Sequence, residues 1–331
     1  MTSPRDLLRW AVWFPFRWTL TALPRRWAVM AGDGVGQARW LVSRQRGQIT
    51  AGEIHWLLGW PVRDPRTRAA VREALALAGT NLIESFFFGW HTPQRSADVF
   101  DFAGTEHLDQ ALRGGRGAIL LLCHYGANQL CMAALGHRGY PINQIGSAPE
   151  DWHRLVRIEP SRIERRVFDA RLALERKLPA QFLYIEKSMR PVFDCLARNE
   201  ILIMAFDGRA GSQWIHIPLF ERNMNISTGP FTLARRAQAP ILPLFMQRQS
   251  GARHRLTIHP PLPMGEGQQR DAAIREPAQA FARLMERYIL ERPGHYAGLL
   301  AEARIRADKD AVPLFTTPSP APGNRGQTDN A

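Results

Sequence analysis

The sequence predicts an α/β fold, a mixed and mostly parallel central sheet flanked by helices on both faces. Three observations carry the prediction. Apolar runs of strand length alternate with helical patterns through the middle of the chain. One of them, Ala118–Cys123, looks buried and ends abruptly on His124 and a small, turn-prone stretch. The last two runs lie either side of Gln249-Ser250-Gly251, a connection suited to a hairpin, so the sheet should contain an antiparallel pair.

Taken in order, the chain opens on Leu7–Leu23, rich in Trp and Leu but interrupted by Arg9, Pro15 and Arg17. It is too short and too charged to read as a spanning helix, and no small-residue cleavage site follows it cleanly. Trp10, Trp13, Phe14 and Trp18 recur at helical spacing, with Arg5, Arg9, Arg17, Arg25 and Arg26 among and beside them. That mixture describes an N-terminal amphipathic, membrane-associated helix within residues 1–30, with indoles at headgroup depth and arginines on anionic lipid phosphates. It also describes an amphipathic helix packed on its own domain.

A long helix is predicted over Arg66–Gly89, with Leu75, Leu77, Leu82 and Ile83 on its apolar side and the cluster Phe86-Phe87-Phe88 at its end. A short helix, Glu106–Leu112, is closed by Gly114-Gly115. Strands are expected at Ala118–Cys123, Phe182–Ile185, Ile201–Phe206, Trp214–Leu219, Ile241–Met246 and Leu256–His259. Helices are expected at Gln129–His137, Arg162–Arg176, Met189–Arg198, Thr228–Gln238 and Pro277–Leu290. Residues 31–312 thus form one domain. From Pro313 to residue 331, Pro, Thr, Ser, Gly and Asn dominate without apolar periodicity, as in a disordered tail.

The formal charge is +13, and Lys177, Lys187 and Lys309 are the only lysines, so arginine carries it. Such a charge favours anionic partners: an anionic membrane surface, an acidic carrier protein or nucleic acid. Nucleic acid is set aside, because the aromatics sit in apolar runs and not among basic residues as a base-stacking platform requires. Cys123, Cys131 and Cys195 are widely spaced and odd in number, which argues against a disulfide framework and against a metal site.

His124 is the candidate base. A strand end is where an α/β protein presents a side chain to a cleft, and transfer of an acyl group from a thioester to a hydroxyl needs a base, an orienting partner and oxyanion donors. Backbone amides near Gly126, at the start of a helical turn, are the candidate oxyanion donors, and Gly126 also permits close approach to a substrate. Gln129, five residues on, is placed to reach back to the ring. His137, His153, His216 and His259 stand alone and carry no assignment.

Three blocks carry a resemblance. The first is Gly104-Thr105-Glu106-His107-Leu108 followed by Gly115-Arg116-Gly117 and the run to His124-Tyr125-Gly126. The second is Phe206-Asp207-Gly208-Arg209-Ala210-Gly211 with Ile217-Pro218-Leu219-Phe220. The third is Ser227-Thr228-Gly229-Pro230 leading through Leu233-Ala234 to Ala239-Pro240 and Pro243. In order and spacing, over roughly residues 5 to 300, the chain resembles the bacterial lipid A biosynthesis (lauroyl/myristoyl) acyltransferases, within the lysophospholipid acyltransferase superfamily.

The resemblance implies a monotopic or peripheral enzyme on the cytoplasmic face of a bacterial inner membrane. It would use no bound cofactor. It would move a fatty acyl chain from acyl carrier protein or coenzyme A to a hydroxyl of a glycolipid or lysophospholipid-like membrane acceptor. It also implies that His124 is the base and that Arg209 binds the acceptor, as a planar fork suited to phosphate or carboxylate oxygens. An ion pair of Arg209 with Asp207 is the plainer reading. Thr228 and Gly229 open a helix as a cap with close packing, or as an anion site. The Arg162, Arg165 and Arg166 group, interleaved with Glu164 and Asp169, reads as a solvated face, although the resemblance places a functional arginine in this region.

One position departs from the family. The base is there followed, after four residues, by Asp or Glu, where this chain has Gln129 beside Asn128. An amide accepts the imidazole N–H but brings no charge, and the comparable exchange in a serine-protease triad lowers the rate by about 10⁴. Three outcomes stay open: a weakened dyad, another acid such as Asp207 or Glu186, or a catalytically silent lipid-binding relative that kept the fold.

Overall fold

The run Ala118–Leu122 forms the strand at the centre of the molecule because every one of its side chains is apolar and finds cover. Ile119 and Leu121 face one half of the core, while Ala118, Leu120 and Leu122 face the other. The computed structural model describes residues 4–42, 44–146, 161–184, 188–209, 211–264, 272–305 and 312–317.

Among the described residues the main sheet has seven strands: β1 (Phe100–Ala103), β2 (Ala118–Leu122), β3 (Ile142–Gly146), β4 (Gln181–Tyr184), β5 (Ile201–Ala205), β8 (Ile241–Arg248) and β9 (His254–Ile258). Their order is β1-β9-β8-β2-β5-β3-β4. All neighbours are parallel except β8 and β9, the hairpin expected around Gln249-Ser250-Gly251. The mixed, mostly parallel sheet covered on both faces is therefore present. One expected strand lies elsewhere: β6 (Trp214–Leu219) pairs antiparallel with β7 (Arg222–Ser227) in a separate two-stranded sheet.

The helices among the described residues are α1 (Pro4–Ala11), α2 (Arg17–Thr21), α3 (Arg25–Val42), α4 (Arg44–Leu58), α5 (Pro65–Phe86), α6 (Pro93–Ala97), α7 (Thr105–Arg113), α8 (Cys131–Gly136), α9 (Arg162–Glu175), α10 (Arg190–Ala197), α11 (Gly229–Ala237), α12 (Ala272–Glu291) and α13 (Gly294–Ile305). Helix α5 starts where Asp64 caps the Arg66 amide at 2.7 Å and Pro65 takes the first turn. Helix α9 starts on a capping box of Ser161 and Glu164. In the first block, Gly104 is held at φ 74°, with Ile258 O 1.9 Å from where a Cβ would stand.

Helix α3 was not expected from the sequence. Three glycines, Gly32, Gly34 and Gly36, interrupt it, each costing about 1 kcal/mol against alanine in a helix. For Gly32 and Gly36 the use is tertiary, whereas a Cβ on Gly34 would meet only open space. A Cβ on Gly36 would stand 2.4 Å from the Leu75 carbonyl oxygen, and one on Gly79 would stand 2.5 Å from that of Gly32. The bare backbones let α3 lie directly on α5, so the domain boundary drawn at residue 30 falls inside a helix.

The opposite boundary also moves. Residues 313–317, read as the start of a disordered tail, are ordered: Leu314 and Phe315 are buried, and Phe315 bridges Met224 and packs edge-on to Trp56 at 4.9 Å. The tail from 318 to 331 lies outside the described residues, as do Glu186 and His153.

Candidate active site

Strands β2 and β5 are parallel neighbours, with Leu122 opposite Ala205. Two residues further along each strand stand His124 and Asp207, so register alone brings them together at the carboxyl ends. The chain leaves β2 by α8, on one face of the sheet, to reach β3. It leaves β5 by α11, on the other face, to reach β8 on the far side of β2. Connections that depart in opposite directions open a crevice between the strand ends, the usual ligand position of such sheets.

Within this crevice the His124 Nδ1 is 2.7 Å from Asp207 Oδ1, and the His124 backbone N–H donates to Asp207 Oδ2 at 2.9 Å. The Asp207 carboxylate is buried, whereas the imidazole is 45% exposed. A carboxylate only accepts, so Nδ1 carries the proton, and in the neutral ring Nε2 keeps its lone pair. Asp207 raises the imidazole pKa above its ordinary value, and desolvation opposes it without prevailing.

Gln129 takes no part in the bond at Nδ1. It lies in a 3₁₀ turn, Asn128–Leu130, and its side-chain nitrogen donates to the Asn81 carbonyl of α5. The expectation that it partners the base is corrected on that ground.

The amides around Gly126 are likewise committed. Tyr125 N–H donates to Cys123 O at 2.7 Å, Gly126 N–H to His295 O at 3.0 Å, and Ala127 N–H to Met246 O at 3.3 Å. Each of these three already has a carbonyl partner in this arrangement. Gly126 has φ 64°, and a Cβ there would stand 2.0 Å from the Met246 carbonyl oxygen. The close approach it makes is to strand β8.

Arg209 is exposed in the loop that follows Asp207. Thr228 occupies the N-cap position of α11 without a side-chain cap bond. Its amide donates to Gln213 O at 3.0 Å, and Gly229 N–H donates to Ser227 Oγ at 3.2 Å. The third block therefore pins the β6–β7 sheet to the start of α11 and leaves the capping role to Ser227.

The aromatic N-terminus divides. Trp10 and Trp18 are exposed, with Phe14 between their rings at 6.2 Å from each. Trp13 turns inward and packs edge-on to Phe86 at 5.2 Å. Pro15 sits in a single π-helical turn, Val12–Phe16, that joins α1 to α2. Among the described residues no helix is long and apolar enough to cross a membrane.

Arg25 is not a lipid-facing cation. It is buried, donating to Glu84 Oε1 at 2.7 Å and to Ala252 O at 3.0 Å. Glu84 is a hub that sequence reading missed, since a lone Glu in a long helix carries no signal. It also accepts from His254 Nε2 at 2.8 Å and has Arg248 at 3.9 Å. Burial works against its charge, but His254, Arg25 and Arg248 outweigh it and hold its pKa at about 2. Among the described residues no cluster of His, Cys, Asp or Glu is arranged to hold a metal ion.

No curated protein matches the sequence. The family described as bacterial lipid A biosynthesis acyltransferase matches residues 1–302, nearly the whole chain and all three blocks named above. On that match the chain belongs to the bacterial lipid A biosynthesis acyltransferase family.

Proposed function

We propose that this protein transfers a fatty acyl chain from a thioester, on acyl carrier protein or coenzyme A, to a hydroxyl of a membrane glycolipid or lysophospholipid-like acceptor. The observation that carries the reading is the 2.7 Å contact between His124 Nδ1 and a buried Asp207 carboxylate, beneath an imidazole open to the crevice. In the first step His124 Nε2 removes the acceptor hydroxyl proton as the oxygen attacks the thioester carbonyl, and Asp207 stabilises the imidazolium. The tetrahedral adduct then collapses, the carbon–sulfur bond breaks, and the imidazolium returns its proton to the departing thiolate. Ester and free thiol result, with the base restored.

Arg209, two residues past Asp207, supplies a cation for an anionic group of the acceptor. The N-terminal helices present Leu7, Leu8, Trp10, Trp18, Leu23, Trp27 and Met30 to solvent, a run of exposed apolar side chains suited to a membrane interface. These features support peripheral attachment at the cytoplasmic face of a bacterial inner membrane, on anionic lipid.

The test is acyl transfer by the purified protein from labelled acyl-carrier-protein and coenzyme A thioesters to lipid acceptors in vesicles. Wild-type protein should form labelled lipid, and His124→Ala should form none while keeping its fold and vesicle binding. Equal rates for the two proteins would show that His124 is not the base. No transfer by the wild type with either donor, together with retained lipid binding, would mark a lipid-binding protein without turnover.

A further inference from the structure

We propose that Tyr296 is a positioning residue for the His124–Asp207 pair, its buried hydroxyl acting as a third hydrogen-bond donor to the Asp207 carboxylate. Tyr296 is fully buried on the first turn of α13. It packs in the same part of the core as Cys123 and Phe206, the residues that precede His124 and Asp207. Its neighbour His295 accepts the Gly126 amide, which fixes this end of α13 against the turn that carries the base. The Tyr296 hydroxyl has no hydrogen-bond partner in the resting arrangement. A buried hydroxyl without one costs about 1–3 kcal/mol, which a bond to the nearby carboxylate would relieve.

The groups facing one another here come from three elements. His124 and Cys123 lie at the end of β2, Asp207 lies beyond β5, and Tyr296 comes from α13. Burial first, and then the Asp207 charge, push the phenol well above its usual range, so at working pH it keeps a proton to donate. The same two causes push the Cys123 thiol upward, which keeps it neutral. Both Asp207 oxygens are engaged by His124, and a carboxylate has lone pairs for a further donor. When Tyr296 closes onto it, part of the negative charge is shared with the hydroxyl. The imidazolium is then stabilised less, and His124 stays neutral, and therefore basic, to lower pH.

The role assigned to the base rests on the reading above, but the decisive measurement does not need activity. The His124 ring is titrated by NMR in full-length wild type and Tyr296→Phe. The variant keeps the ring and removes only the hydroxyl, so the fold should be retained. Its His124 pKa should rise by roughly half a unit. The acidic limb of kcat/KM should move up with it, and the high-pH plateau should stay within about twofold of wild type. In an Asp207→Asn background the same change should leave the His124 titration where it is, because the hydroxyl acts through that carboxylate. Coincident titrations of wild type and Tyr296→Phe, a fall in the variant, or an equal shift without Asp207 would each overturn the proposal. If wild type transfers no acyl group, the function above fails while the titration still decides this inference.

Discussion

Asp207 accepts two hydrogen bonds from His124 alone, the backbone N–H on Oδ2 and the ring Nδ1 on Oδ1. The backbone bond locks the carboxylate to the strand end, and the ring bond then has one orientation. An imidazole fixed in this way needs no acid from its own loop, so a chain with Gln129 in place of a carboxylate still has a carboxylate partner for its histidine.

The charge of Asp207 has a pH consequence. It raises the imidazole pKa, and the ring is a base only when neutral. The acidic limb of kcat/KM should therefore lie above the roughly 6.5 of an ordinary histidine. Activity is lost as pH falls through that raised value. In Asp207→Asn the residual activity should show the limb displaced downward. Profiles of kcat/KM between pH 5 and pH 9 check both statements, and an unmoved limb in the variant would contradict them.

Gly126→Ala should destabilise the fold by at least about 2 kcal/mol, from the left-handed backbone and the clash with the Met246 carbonyl together. Urea unfolding should show a lower midpoint. If the midpoint is unchanged and only substrate affinity falls, the glycine faces substrate after all.

Glu84→Gln strips the anion from beneath buried Arg25 and His254 and part-buried Arg248 and should cost about 3–5 kcal/mol. In the wild type the folded-state pKa of Glu84 is depressed from the ordinary 4.5 to about 2. Its contribution is therefore complete above about pH 4.5 and is lost as pH falls from there toward about 2. Denaturant midpoints of the two proteins should converge over that interval.

The two faces of the N-terminus should respond differently to mutation. Trp13→Ala removes a ring packed on Phe86 and should lower the melting temperature. Trp18→Ser removes an exposed indole and should weaken sedimentation with anionic vesicles at unchanged melting temperature. Reversed effects would mean that the apolar surface identified here is not the one that meets lipid.

Much of this was legible in the sequence for identifiable reasons. Apolar runs such as Ala118–Leu122 and Ile201–Ala205 form the central strands because burial on both faces demands continuous hydrophobicity. Two strands were illegible: β1, at one edge, is four residues with Asp101 inside it, and β3, between β5 and β4, buries Asn143 through bonds to Glu200 and the Ile201 carbonyl. Helix α3 was hidden by glycines, and the value of Gly32 and Gly36 exists only against α5. His124 could be named from its place at a strand end, whereas Asp207 stood as one of two alternative acids because strand register is not written in either strand. Tyr296 carried no signal, since it reaches the site from a helix after the last sequence block.

The most direct test compares acyl transfer by wild type, Asp207→Asn and Gln129→Glu in one assay. Asp207 alone orients the base in this account, so Asp207→Asn should lower kcat by about 10³–10⁴ with little change in KM, on the scale of carboxylate-to-amide losses at a catalytic histidine. Gln129→Glu should stay within severalfold of wild type, its side chain being directed to Asn81. A rate nearly unchanged in Asp207→Asn, with a rise of powers of ten in Gln129→Glu, would contradict the pairing and return the role to position 129.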